Sequence, residues 1–503
     1  MGFDHIIVGN SALGLSSAYR ILLRDENARI AVVGPKARTG AATTAAGAML
    51  GVYGELSEDH TSNVYTQTHF EMAYDAGHMW PQFVDDLNKE IPENLHTNIH
   101  PNGTYIVVNS RGSYDHDVTS FNAMIKALKE KDEPYDEVQS GDIPGFNPED
   151  DSLPHRAIYI PGEKSINPAA VLGALDAFLQ QSGRVDFIDE KASTLMVDSE
   201  SNVTGVELND GRILEGGTVV VAAGVGSQKL VDSVPALDGR VPLLYAGDGT
   251  SFTMSQGTLH PTQRIEHVIR TPNRAGACGI HVVPQAGDQF YIGAGNMLEE
   301  NVLTGASAFS ARWVLGGAMN EINKRIMDAR ILSVNQGNRP ISVDGFPMLG
   351  PSDSVKGLWM LTGTGRDGFH CSPLISKWLV DDMFGDKVEK EGGVPHAFDI
   401  FRPERPIIET VTYEESIDRG ALEFKRALHE TGGKLSTGND VPFPEWLRND
   451  IRSIMEDKLQ STRALSTAMI LPILRRSTNG AVLRNYLASM EKAFAPVAKK
   501  IAS

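Results

Sequence analysis

Asp4-His5-Ile6-Ile7-Val8 runs directly into Gly9-Asn10-Ser11-Ala12-Leu13-Gly14, and this junction decides the fold. The apolar residues read as a short buried strand and the glycines as a tight turn. A helical stretch follows over residues 15–23, then a second apolar strand over 29–33. Strand, turn, helix and strand within about thirty residues is the setting in which such a turn binds a pyrophosphate. Backbone N–H groups at the helix start point at the phosphates, and the helix dipole favours their charge. The junction therefore predicts a pocket for FAD or a nicotinamide cofactor.

Two positions depart from the G-x-G-x-x-G pattern. Ser11 stands where the middle glycine would be, adding a Cβ near the pyrophosphate but also a hydroxyl that can donate to it. After the second strand the sequence reads Gly34-Pro35-Lys36, with no carboxylate where an acid usually holds a ribose hydroxyl. Taken alone, the turn is equally compatible with a glycine-rich connection that binds nothing.

With 503 residues the chain has room for two or more domains at roughly 100–200 residues each. A net charge of -18 argues against nucleic acid or an anionic membrane as the main partner, because both need cationic surface. The two cysteines, Cys278 and Cys371, make neither a disulfide framework nor a zinc site, and no metal site is expected. The first strand begins at residue 4, leaving no room for a signal peptide, and no apolar run reaches membrane-span length. A cytoplasmic protein is the expectation.

Residues 40–51 (GAATTAAGAMLG) are small and uncharged, which permits backbone to approach a flat ligand closely. A packed helix start with Thr43 or Thr44 as its cap is the other reading. Helical patterns cover 65–87, 121–131, 168–181 (with Asn167 as N-cap), 309–330 and 373–383, and a very apolar strand, 218–223, ends at Gly224. A hairpin is expected across Gly287-Asp288. Beyond residue 384 the chain is charged and mainly helical near 413–431, 444–460 and 462–498, broken by Pro442, Pro444 and Pro472.

Four blocks in order, residues 5–14, 40–51, 168–224 and 337–373, resemble the D-amino-acid oxidase superfamily, in particular its glycine oxidase and sarcosine oxidase branch. The last block carries Gly337-Asn338-Arg339-Pro340, Asp344-Gly345-Phe346-Pro347 and Gly363-Thr364-Gly365-Arg366-Asp367-Gly368. The resemblance implies an α/β fold: a non-contiguous Rossmann-like FAD-binding domain (1–75, 155–235, 325–390) interleaved with a mixed-sheet substrate domain (76–154, 236–324). A C-terminal helical extension (391–503) lies outside it. It further implies FAD with its pyrophosphate over Gly9, Ser11, Ala12 and Gly14. The flavin ring would lie near Thr43, Thr44, Gly47, Ala48 and Met49, with its pyrimidine edge at Gly365, Arg366, Asp367, Gly368 and Phe369. Ala192 takes the place of a small residue near the adenine, and Gly224 closes the returning strand. A helix starting near Pro373 would aim its positive end at flavin N1 and O2.

Arg339 falls where relatives hold a substrate carboxylate, a task suited to the paired donors of a guanidinium. Arg366 either touches substrate or braces its loop. His281 replaces a tyrosine of relatives; it either binds substrate and takes a proton from an amine, or is a buried histidine satisfied by a backbone carbonyl. Cys371 does not match the covalent flavin sequence and residues 40–51 contain no histidine, so FAD is expected to be non-covalent. The implied chemistry is oxidation of a C–N bond in an amino acid or related amine bearing an acidic group. Hydride passes to flavin N5, the resulting imine hydrolyses, and oxygen or another acceptor reoxidises the flavin. Two alternatives stay open: a flavin dehydrogenase on a hydroxy acid or specialised intermediate, and a non-catalytic FAD-bound scaffold. The expected partner is a small substrate, and a homo-oligomer is compatible with the sequence.

Overall fold

A computed structural model describes residues 2–275, 278–299, 301–386, 396–430, 445–465 and 480–501. Phe3–Val8 is central to an eight-stranded sheet. It pairs in parallel with Ile30–Val33 on one side and with Ile213–Val221 on the other. Val185–Ile188 and Leu358–Thr362 extend the parallel order outward on the two sides. Ile6 and Ile7 are fully buried because both faces of the sheet are covered, which is why the sequence here is an unbroken apolar run. The helices Ala12–Arg24, Pro168–Gln181 and Ser372–Met383 bury Leu15, Leu175 and Ile375 in the core cluster that covers one face. The first half of Ile213–Val221 leaves the parallel layer and pairs antiparallel with Val203–Leu208, which in turn pairs with Ala192–Val197.

A second, ten-stranded sheet is mainly antiparallel and runs from Gly40–Ala41 through Arg330–Ser342, Leu244–Ser255, Gln289–Gly293, His281–Pro284, Val268–Arg270, Thr104–Asn109 and Pro154–Ile160 to Asp136–Glu137. His281–Pro284 and Gln289–Gly293 form the hairpin expected across Gly287-Asp288. Pro154–Ile160 and Arg330–Ser342 thus belong to this sheet, although their places in the sequence read as part of the nucleotide unit. At one edge of this sheet Gly40–Ala41 runs parallel to Gly337–Asn338, so the chain passes from the second strand of the first sheet into the second.

Asn167 caps Pro168–Gln181 as expected, accepting from the N–H groups of Ala169 and Ala170. The stretch 309–330 does not form one helix. Ala308–Gly317 ends at paired glycines, a wide turn and a 3-10 turn follow, and Arg330 opens a strand. Two adjacent glycines weaken a helix, and Gly317 packs where a Cβ would meet the Ile280 side chain at 2.7 Å.

Beyond residue 396 the helices Tyr413–Glu430, Glu445–Ser453 and Gly480–Ile501 are present; Pro442, Pro444 and Pro472 lie outside the described residues. Ile417, Leu447, Ile451, Met455 and Leu487 build a separate core against Tyr245 of the second sheet and Val343 just past its strand Arg330–Ser342. A buried ion pair from Arg405 to Asp344, 3.0 Å, ties this extension to the turn after Arg330–Ser342. Among the described residues no helix is long and apolar enough to cross a membrane.

Candidate active site

A cavity of about 800 Å³ extends from the turn after Phe3–Val8 to the second sheet. Gly9, Ser11 and Ala12 line one end. Gly9 has φ +128°, and a Cβ on it would meet the Ala222 carbonyl oxygen at 2.2 Å, so only glycine lets the turn lie against the returning strand. Ser11 is the N-cap of Ala12–Arg24, yet its side chain makes no capping hydrogen bond. The first N–H groups of that helix therefore have no side-chain cap, which is the cradle a pyrophosphate requires. Gly14 does not line the cavity. A Cβ there would meet the Gly9 carbonyl oxygen at 1.8 Å, so it serves the close seating of the helix on the turn.

The missing acid after the second strand is replaced by a different network. Asn10 donates to the carbonyls of Gly34 and Pro35 at 3.1 and 2.9 Å, and Arg38 donates to the Asn10 carbonyl at 2.7 Å. Asp176 takes both oxygens to Arg38, at 2.7 and 2.8 Å. Lys191, Ala192, Gly224 and Lys229 line the same end.

Thr43, Gly47, Ala48 and Met49 line the middle of the cavity; Thr44 is exposed and donates to the Ala41 carbonyl instead. The small-residue run is held from the second sheet. Tyr291 and Ser251 both donate to the Ala45 carbonyl, at 2.9 and 3.1 Å, and Asn338 donates to that of Gly40 at 3.1 Å. Gly47 faces the Tyr291 ring, which a Cβ would approach to 2.8 Å. Opposite lie Gly365, Arg366, Asp367, Gly368 and Phe369. Gly365 donates its N–H to the Pro340 carbonyl at 2.8 Å, His69 pairs with Asp367 at 3.0 Å, and Phe369 stacks on Trp80. Cys371, just before Ser372–Met383, is fully buried and does not line the cavity, whereas Cys278 does.

Three cationic side chains frame the end nearest the second sheet. Arg339 lines the cavity, donating to the Gly295 carbonyl at 2.5 Å and to the Asn296 side-chain oxygen at 3.2 Å. Among the described residues it forms no ion pair. Arg366 also lines it but is committed to the loop network: Nη2 lies 2.8 Å from Glu55 and Nη1 donates to Asn273 at 3.0 Å. Arg270, behind it, reaches the other Glu55 oxygen at 2.7 Å. Burial alone would raise the Glu55 pKa, but the guanidinium groups of Arg270 and Arg366 outweigh it and hold the carboxyl well below the usual range.

His281 lines the cavity, stacks on Tyr291 and places Nδ1 2.8 Å from the Gly279 carbonyl. A carbonyl only accepts, so Nδ1 carries the proton and Nε2 is left as an acceptor. Burial, reinforced by the charge of Arg270, lowers the His281 pKa to about 3. A pKa lowered this far disfavours the charged ring near working pH. The backbone-carbonyl bond matches the second reading of this residue. Glu55, Arg270, Asn273 and Tyr291 were not legible as site residues. Glu55 and Arg270 are 215 positions apart, with no local pattern to link them.

The family of FAD dependent oxidoreductases (DAO) matches residues 4–382. The glycine oxidase of Pseudomonas aeruginosa is 25% identical over 230 residues, which is 46% of this chain and 58% of that protein. The chain thus spans less than two thirds of the length of the curated relatives it matches. In structure it resembles glycine oxidase from Geobacillus kaustophilus, with a TM-score of 0.66 at 19% identity over 81% of this chain and 99% of the other. The L-amino acid deaminase of Proteus vulgaris gives a TM-score of 0.58 at 14% identity, covering 78% and 95%. The match over most of the chain, with a glycine cradle and cavity suited to a dinucleotide, means that this chain belongs to the FAD dependent oxidoreductase (DAO) family.

Proposed function

We propose that this protein oxidises the C–N bond of an amino acid or related amine that bears an acidic group, with FAD bound non-covalently. The observation that carries the reading is Arg339. It is a partly buried guanidinium facing the cavity, bonded among the described residues only to neutral oxygens, and suited to a carboxylate. Gly9 and the first N–H groups of Ala12–Arg24 would hold the FAD pyrophosphate, and the run from Thr43 to Met49 with the loop from Gly365 to Phe369 would enclose the flavin ring. FAD so held supplies a two-electron acceptor that oxygen or another oxidant can regenerate.

The remaining work falls to the chain. Arg339 fixes the acidic group and so the position of the carbon beside it, which is the orientational part of catalysis. Neutral His281 offers Nε2 as an acceptor and adds no charge that would repel an amine. Arg366 braces the loop through Glu55 and Asn273 in this reading. In this reading the eight-stranded sheet would carry the FAD-binding part and the ten-stranded sheet the substrate part, with Pro154–Ile160 and Arg330–Ser342 on the substrate side.

The experiment is anaerobic addition of glycine, D- and L-amino acids and N-methyl amino acids to the purified yellow protein. Bleaching of the visible flavin band by one of these classes supports the reading and names the class. Bleaching only by an added hydroxy acid moves the reaction to a C–O bond; bleaching by none of them, with FAD bound, leaves a specialised intermediate as substrate or a scaffold.

A further inference from the structure

The helix Tyr413–Glu430 lies beyond the residues matched by the family, yet its last turn reaches the segment that organises the substrate end of the cavity. Asn273 is the hub of that segment. Its side-chain oxygen accepts from Arg366 at 3.0 Å, from Arg270 at 3.3 Å and from the Gly279 N–H at 3.3 Å, while its amide donates to the Glu55 carbonyl at 3.2 Å. The Asn273 carbonyl in turn accepts from Arg426 of the helix at 3.0 Å. Arg426 is itself buried and paired with Glu423. Two residues on, the Ala275 N–H donates to Glu430 at 2.9 Å. Between these contacts Arg274 is pinned from the other side by Asp117 and Glu321.

We infer that Arg426 is a positioning residue for the substrate site: through Asn273 it sets where Arg366 and Glu55 stand, so the C-terminal extension completes the substrate end of the cavity. The inference rests on the proposed carboxylate site. A backbone carbonyl bonded by a buried guanidinium is a fixed point, since charge-assisted bonds are about twice as strong as neutral ones. Without it Asn273 itself keeps, among the described residues, the side-chain bonds to Arg366, Arg270, Gly279 and Glu55, while the turn stays anchored through Arg274 and Ala275.

The test reads binding of acetate, as a carboxylate probe, from its perturbation of the flavin absorption band, alongside steady-state kinetics on any amine the protein oxidises. Arg426→Ala is expected to weaken acetate and raise KM by roughly tenfold, with kcat and flavin content close to wild type. Arg426→Lys should restore much of the loss. Arg419→Ala is the control: it lies on the same helix and breaks the contact with Asp59 instead, so it should leave both constants unchanged. Equal acetate affinity and KM in Arg426→Ala and wild type overturn the inference, as does an equal loss in Arg419→Ala. A wild-type protein that neither binds acetate nor oxidises an amine removes the functional reading and this inference with it. Wild-type binding together with an unaffected Arg426→Ala removes the inference alone.

Discussion

A Cβ on Gly249 would lie 3.0 Å from the guanidinium carbon of Arg339 and 3.1 Å from both terminal nitrogens. The two residues are on neighbouring antiparallel strands, so the bare backbone at one fixes the place of the charge at the other. Gly249→Ala should displace the guanidinium by a few tenths of an ångström and raise KM for a carboxylate substrate several-fold. Arg339→Gln, which removes the charge, should lower kcat/KM roughly 10- to 100-fold, the value of a charged hydrogen bond of about 1.5–3 kcal/mol. Steady-state kinetics on both variants, with flavin content as a control, decide the matter. An unaltered kcat/KM in Arg339→Gln would remove this residue from substrate binding.

The cradle at the other end gives a sharper expectation. Gly9→Ala must push a methyl into the Ala222 carbonyl, at a backbone angle that disfavours any side chain. The first turn of Ala12–Arg24 would move away from the returning strand, and with it the N–H groups that face the cavity. The variant should purify with little flavin, measured as the ratio of visible to ultraviolet absorbance. Ser11→Gly, which restores the usual glycine, should keep its flavin. Full flavin occupancy in Gly9→Ala would show that the turn does not carry the cofactor.

Much of this site could be read from the chain because its parts are local. The turn from Gly9 to Gly14, the run from Gly40 to Gly51 and the loop from Gly363 to Gly368 each announce close backbone approach by composition. The ion-paired group behind Arg366 could not be read this way. Glu55 ends a short 3-10 turn just past the small-residue run, Arg270 ends a three-residue strand, and only the packing of that turn against the ten-stranded sheet brings them to 2.7 Å. The histidine at 281 shows the same limit from the other side. Its identity was visible, but its protonation depends on burial and on Arg270, which are properties of the packed chain. The stretch 309–330 reads as one helix because its apolar spacing continues past Gly316-Gly317, whereas the helix ends at Gly317, seated against Ile280.

Glu430, which holds the Ala275 N–H, supplies a pH dependence of stability. Burial pushes its pKa up to about 7, against the pull of Arg274 and Arg426, with Asp117 adding to the rise. A carboxyl whose folded pKa lies above its unfolded value of about 4.3 favours folding while protonated. That contribution is full below pH 4.3 and is lost as pH rises through 7. Glu430→Gln keeps a neutral side chain at every pH. Between pH 5 and pH 8 the wild type should therefore lose a few degrees more of Tm than the variant. Thermal scans at a series of pH values test this, and parallel curves would show that Glu430 is ionised throughout.

His281 should be silent in the pH dependence of catalysis. With its pKa lowered to about 3, the ring stays neutral from pH 5 to pH 9, and its Nδ1 proton is engaged by Gly279. Its structural task is to stack on Tyr291, which in turn holds the Ala45 carbonyl beside the cavity. His281→Ala leaves a gap there, since Gly47 and Gly293 supply no side chain to fill it. The variant should release flavin more readily and lose roughly tenfold in kcat/KM, with the inflections of its pH profile where they are in the wild type. The opposite pattern, an acid limb near the ordinary histidine value of about 6.5 that disappears on substitution, would make His281 a titrating base and return the proton to this ring.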